Sequence, residues 1–143
     1  MAVISKDFFT DNELVMMGYS RNPESFSRMV YKDLTDAGLR IFPVNPNTDS
    51  GFDVPVYTDI TKISKLPKAG YILLSGENAQ KAFKELMDAG VKRILFQEKT
   101  AVTPDIRKSA DEAGIEIQSG CPLLAYGKGF HKLHAFFARL FSR

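Results

Sequence analysis

The sequence predicts an α/β fold: a single domain built on a parallel β-sheet with helices on both faces. Three observations carry the prediction. Short apolar runs alternate with segments of helical period almost throughout the chain. Three helical segments end at Ala37-Gly38, Ala89-Gly90 and Ala113-Gly114, where a helix C-terminus takes a glycine. The first apolar run leads at once into a glycine turn and a helix start, the opening of a strand–helix–strand unit. A chain of 143 residues is long enough for one core and gives no reason to expect two.

The elements follow in order. Ser5–Asp11 reads as a short helix capped by Ser5, with Phe8-Phe9 packing on the domain edge, so residues 1–12 form an N-terminal extension. Glu13–Met17 is apolar enough for a strand covered on both faces. The helix Pro23–Ala37 carries Phe26, Met29, Val30, Leu34 and Ala37 at helical spacing. Arg40–Val44 is a second strand, closed by Pro43 and the Asn45-Pro46 turn, and Asn47–Asp53 is a polar loop. Val54–Tyr57 reads as a short third strand, placed at an edge by Pro55, and Thr58–Lys65 as a capped helix ending before Pro67. Gly70–Leu74 suits a central strand, and Ser75-Gly76 turns into the helix Asn78–Ala89. Lys92–Phe96 is the fifth strand, Thr103-Pro104 opens a helix through Ala113, and Ile115–Ile117 is the last strand. Ligands of such sheets sit beyond the strands' carboxyl ends where the strand order reverses. The loops Gly18–Pro23, Asn45–Pro46, Ser75–Asn78 and Gln97–Thr100 are therefore expected to meet at a site.

Composition narrows the partners. Apolar residues at 44% and charged residues at 25% fit an ordinary globular chain rather than a disordered one. A net charge of +2 gives no strong pull toward nucleic acid or acidic membranes, yet suits an anionic small molecule. The single cysteine, Cys121, excludes an intramolecular disulfide and fits a reducing cytoplasm, the expected location. The N-terminal stretch carries acids without a long apolar core, unlike a signal peptide, and no apolar run is long enough to span a bilayer.

The chemistry concentrates in Leu14–Arg28. Gly18 permits a tight turn and a close approach by a ligand. Asn22 and Pro23 suit a cap and a first helical position, whose amides lack partners within the helix and favour negative charge. That is a phosphate cradle, to which Ser20 adds a hydroxyl and Arg21 a cation. An ordinary strand–helix turn without a ligand has the same signature. A dinucleotide site would show G-x-G-x-x-G and an acid after the second strand. Here Gly18 stands alone, and Asn45-Pro46-Asn47 is followed by no carboxylate until Asp49, which counts against NAD. A ligand richer in phosphate would benefit from Arg21, Ser25, Ser27 and Arg28.

Several spaced motifs carry a family likeness. They are Gly18-Tyr19-Ser20 before Asn22-Pro23-Glu24 and Phe26-Ser27, then Gly38-Leu39-Arg40-Ile41-Phe42-Pro43-Val44-Asn45-Pro46. Val56-Tyr57, the Asp88–Lys92 turn, Gln97, the Ala113-Gly114-Ile115 turn and Cys121 continue it. Over about Glu13–Pro122 the chain resembles the small stand-alone CoA-binding domain family, itself similar to the CoA-binding domain of the succinyl-CoA synthetase alpha subunit. The resemblance implies a Rossmann-like domain over residues 13–122 and CoA or acyl-CoA as ligand. It implies that Gly18, Tyr19 and Ser20 line a diphosphate turn, with Ser27 and Arg28 facing the phosphates. Val44, Asn45 and Pro46 would border the adenosine, and Ser75 and Gln97 would lie toward the pantetheine arm. No phosphohistidine loop, Walker lysine or Ser-His-Asp set is recognisable, so the expected role is a non-catalytic CoA sensor or carrier. An NAD(P)-binding redox regulator or small oxidoreductase, and an interaction module with a degenerate pocket, are the alternatives.

His131, His134 and Cys121 match no standard zinc spacing, and no metal site is expected. Cys121 reads as a small buried residue, or as a thiol facing the cleft and able to form a mixed disulfide with CoA. Residues 129–143 place Phe130, Leu133, Phe136, Phe137, Leu140 and Phe141 in one helical stripe. This amphipathic helix would pack on its own domain, on a second copy as a homodimer, or on a membrane surface or partner.

Overall fold

The computed structural model describes residues 8–47 and 52–122. Among these residues the chain forms β1 (Glu13–Met17), α1 (Phe26–Asp36), β2 (Arg40–Val44), β3 (Ala69–Ile72), α2 (Gly76–Asp88), β4 (Arg93–Phe96), α3 (Pro104–Ala113) and β5 (Glu116–Ser119). The strands make one parallel sheet in the order β2-β1-β3-β4-β5. The chain steps outward from β1 to β2, then crosses back to β3 and continues the other way, so the order reverses between β1 and β3.

Side-chain alternation along the strands divides the core in two. Leu14 and Met16 of β1 join Val30 and Leu34 of α1, with Phe8, Phe9, Tyr71 and Leu95. Val15 and Met17 face the other way, onto Ala82, Phe83 and Leu86 of α2 and Ile106 and Ala110 of α3. Helices therefore cover both faces, as the sequence predicts. At Gly70 a Cβ would stand 2.8 Å from Leu86 Cδ1, so α2 rests directly on the backbone of β3. The α3 ends match their sequence signals: Thr103 Oγ1 accepts from Ile106 N at 3.2 Å, and Gly114 is left-handed with φ 70°.

Four expectations need correction. The first long helix starts at Phe26 rather than Pro23, because Ser25 is its cap and accepts from Arg28 N at 3.3 Å. Asn22-Pro23-Glu24-Ser25 is instead a β-turn, with Ser25 N donating to Asn22 O at 3.0 Å and proline at its usual second place. Val54–Tyr57 is not a strand; it makes a single parallel bridge between Val44 and Tyr57. Asn45 N donates to Tyr57 O and Tyr57 N to Pro43 O, each at 2.9 Å. Extending that ladder toward Pro55 would need N–H groups from Pro43 and Pro55, and proline has none. The edge strand on this side is thus β2 itself, where Pro43 is tolerated.

The helix expected over Thr58–Lys65 shrinks to a 3-10 turn, Ile60–Lys62, capped by Asp59. Four β-branched residues in Thr58, Ile60, Thr61 and Ile63, together with a short span, favour this outcome. Near the N-terminus the described residues hold a 3-10 turn at Thr10–Asn12 in place of the end of the Ser5–Asp11 helix. Residues 1–7, 48–51 and 123–143 lie outside the description, and with them His131, His134 and the amphipathic helix expected over 129–143. Among the described residues no helix is long and apolar enough to cross a membrane. Nor does any group of three or more His, Cys, Asp or Glu there stand close enough to hold a metal.

Candidate functional site

Strand register places the site residues. Met17, Ile72 and Phe96 pair across β1, β3 and β4, and Val44 of β2 pairs with Met17. One residue further, at the carboxyl edge, stand Asn45, Gly18, Leu73 and Gln97 in a row. At about 4.8 Å per strand the row is about 14 Å long. It crosses the point of strand-order reversal, and three of the residues picked from sequence lie in it.

Gly18 makes the crossing possible. Its φ is +114°, and a Cβ would stand 3.1 Å from Leu74 Cγ and Cδ2. The close approach at Gly18 is thus made by the exit of β3. Gly18 N and Tyr19 N both donate to Val44 O, at 3.3 and 3.4 Å, which ties the turn to β2.

The turn that follows satisfies its own donors. Ser20 N donates to Ser27 Oγ at 2.9 Å, Asn22 N to Ser20 Oγ at 3.0 Å, and Glu24 N to Asn22 Oδ1 at 3.0 Å. Ser27 is buried and its hydroxyl also lies 3.2 Å from Ser25 Oγ, so it braces the turn from inside. Arg28 acts from the same side. Its Nη1 donates to the carbonyls of Ser20 at 3.1 Å and Arg21 at 3.0 Å, and its Nη2 pairs with Asp53 Oδ1 at 2.9 Å. Because peptides are trans, holding the Ser20 carbonyl inward turns the N–H of Arg21 outward, whereas the N–H of Asn22 is taken by Ser20 Oγ.

Tyr19 lies beneath this turn in the α1-face core, with its backbone rather than its side chain at the edge. Its hydroxyl donates to Asp53 Oδ1 at 2.9 Å, its ring packs edge-on against Tyr31, and the Arg28 guanidinium sits 5.2 Å above it. Burial, then the bond to Asp53, raises the Tyr19 pKa, so the phenol is neutral at any ordinary pH. At Asp53 partial desolvation raises the pKa, but the Tyr19 hydrogen bond and Arg28 outweigh it and the carboxyl lies below its usual value.

Arg21 and Asn45 link the first turn to the chain after β2. Arg21 Nη2 donates to Asn47 O at 3.2 Å and its guanidinium lies 5.8 Å from the Phe52 ring centre. Asn45 Nδ2 donates to Tyr19 O at 2.9 Å while its Oδ1 accepts from Asn47 N at 2.9 Å. Ser75 caps α2 by position without a side-chain capping bond, and it is exposed. Gln97 is half-buried; its backbone N–H donates to Ile72 O at 2.9 Å and its side-chain Oε1 accepts from the Tyr71 hydroxyl.

A cleft of about 340 Å³ opens beside the row on the α2 face, lined by Met17, Gly18, Val44, Pro46, Thr58, Asp59, Lys81 and Glu85. It brings together Gly18, Val44 and Pro46, all three expected at the site from the sequence. Thr58, Asp59, Lys81 and Glu85 were missed. Lys81 and Glu85 share a helix face at i,i+4, but only tertiary packing shows that this face borders the cleft. Asp59 is held below the usual carboxyl pKa, first by the Thr61 hydroxyl and then by Thr61 N–H. Cys121 does not face the cleft: it is wholly buried in the α1-face core.

A doubly wound parallel sheet with a glycine turn at its reversal point and a cleft beside it defines a nucleotide-binding α/β domain. Residues 12–127 match the CoA binding domain family, and the chain belongs to that family. A conserved hypothetical protein from Pyrococcus furiosus is 26% identical with a TM-score of 0.68, over 78% of this chain and 96% of that one. A hypothetical protein from Pyrococcus horikoshii OT3 is 20% identical with a TM-score of 0.73, over 85% of each chain. The same fold occurs in the dinucleotide-forming acetyl-coenzyme A synthetase 1 of Ca. Korarchaeum cryptofilum, seen with phosphate and ADP. There the identity is 15%, the TM-score 0.63, and the match covers 78% of this chain but 26% of the synthetase. No curated protein matches the chain.

Proposed function

We propose that this protein binds CoA or an acyl-CoA without transforming it, as a sensor or carrier. The observation that carries the reading is the row Asn45–Gly18–Leu73–Gln97 at the reversal point, in a chain of the CoA binding domain family. Adenosine would enter the cleft against Val44 and Pro46, the diphosphate would cross at Gly18, Ser20 and Arg21, and pantetheine would run toward Ser75 and Gln97. Ser27 and Arg28 would support this indirectly, by holding the shape of the turn that meets the phosphates. Burial of Cys121 favours binding over thiol chemistry. One observation favours a different nucleotide: Asp59 and Glu85 line the cleft near the end of β2, where carboxylates hold the free ribose hydroxyls of NAD.

The test is thermal unfolding with CoA, acetyl-CoA, NAD, NADP and ATP, paired with mass spectrometry of recovered acetyl-CoA. CoA at a hundredfold over its dissociation constant should add about 2.7 kcal/mol of stability, and acetyl-CoA should be recovered intact. Stabilisation by NAD alone would replace CoA with the dinucleotide, no stabilisation would favour the interaction module, and hydrolysed or transferred acetyl groups would make the protein an enzyme.

A further inference from the structure

Tyr71 stands at the centre of the sheet, on β3, with no exposed surface. A phenylalanine would fill that space without burying a hydroxyl. The hydroxyl donates to Gln97 Oε1. Burial, then the neighbouring Cys121, raises the Tyr71 pKa well above its ordinary value, so the phenol keeps its proton. A buried phenolic proton needs an acceptor, and the amide oxygen of Gln97 supplies it; the opposite amide orientation would take that acceptor away. The bond therefore fixes which end of the Gln97 amide faces Tyr71. The other end, Nε2, makes no hydrogen bond to any described residue and is not among the buried atoms lacking a partner. It is a donor on a residue of the carboxyl edge whose backbone stands two strand spacings, about 10 Å, from that of Gly18.

We propose that Tyr71 is a positioning residue that aims the Gln97 amide nitrogen at a carbonyl oxygen of a pantetheine amide. The inference rests on the CoA reading above and specifies how the arm is recognised. A pantetheine chain leaving a diphosphate at Gly18 carries secondary-amide carbonyls across this distance, and a fixed N–H donor selects for them. Adenosine and diphosphate recognition do not involve Gln97, so a ligand without the arm is indifferent to it.

Calorimetry with CoA and with ADP, which carries adenosine and diphosphate but no arm, tests this at pH 8. Gln97→Leu should weaken CoA about fivefold to tenfold, the share of one hydrogen bond, and leave ADP unchanged. Gln97→Glu is the decisive variant. It preserves an acceptor for Tyr71, so a merely structural role would be rescued, but it replaces the offered donor with an acceptor. It should weaken CoA about tenfold, again without affecting ADP. Tyr71→Phe should weaken CoA about threefold, and the Gln97 variants keep the test valid if that chain fails to fold. CoA affinity in Gln97→Glu within twofold of the parent, or equal loss of CoA and ADP, would overturn the inference while the CoA reading stood. A parent protein that binds ADP but not CoA would overturn both.

Discussion

The tightest geometric constraint at the site is Gly18, and Gly18→Ala measures it. The backbone there has φ +114°, a conformation that an L side chain reaches at a cost of about 1–3 kcal/mol. The new Cβ would also meet Leu74 Cγ and Cδ2 at 3.1 Å and the Leu73 carbonyl carbon at 3.4 Å. Leu74 is a half-buried side chain and can turn aside, so crowding adds about 1 kcal/mol. The expected loss is about 2–4 kcal/mol, or about 6–12 °C in Tm for a domain of this size. Urea unfolding followed by circular dichroism reads it, at unchanged m-value. In a Leu74→Ala background the penalty should shrink by about 1 kcal/mol, since only the backbone share remains. A Gly18→Ala protein within about 0.5 kcal/mol of the parent would refute the strained-turn argument. Equal penalties in both backgrounds would refute the contact with Leu74.

Other perturbations probe the packing, the brace and the cleft. Gly70→Ala should lose about 1–3 kcal/mol in urea, because its Cβ meets Leu86 Cδ1 at 2.8 Å, and Leu86→Ala in the same chain should reduce that penalty. Asp53→Asn should lower Tm at neutral pH, with a dependence whose sign follows from the depressed Asp53 pKa. The stabilisation is present above the unfolded carboxyl value of about 3.9 and is lost as pH falls through the folded value, so parent and variant Tm should converge in acid. Lys81→Glu would leave three carboxylates, Asp59, Glu85 and the new one, around the cleft; calorimetry should show weaker CoA binding, more so at low salt, with Tm nearly unchanged.

Much of the fold was readable because its signals are local. The Thr103 cap, the glycines after α1, α2 and α3, and the buried runs of β1, β3 and β4 each depend on a few neighbouring residues. Segments whose fate depends on a distant partner were not readable. Pro55 alone suggests an edge strand; only with Pro43 on the neighbouring strand does it become a strand that cannot form. Asn22-Pro23 has a helix-start signature, but Ser25 competes two residues later and wins by bonding Arg28 N. At the site, Gly18, Asn45 and Gln97 were legible as strand-end residues that fall into one row. Arg28 was legible as a cation but not as a brace, because its acceptors Ser20 O and Arg21 O belong to the backbone. Tyr71 was invisible as a functional candidate, since a tyrosine inside a strand pattern reads as core.

The prolines at the β2 border, Pro43 and Pro55, also bear on how copies of this protein meet. A bare sheet border is a ready template on which a neighbouring chain can align, hydrogen bond by hydrogen bond. Here the outermost strand offers an interrupted series of donors, and the segment beside it is interrupted as well. Open-ended growth of the sheet from that side is therefore discouraged, and a ladder shared between copies would have to form at the opposite border, along β5.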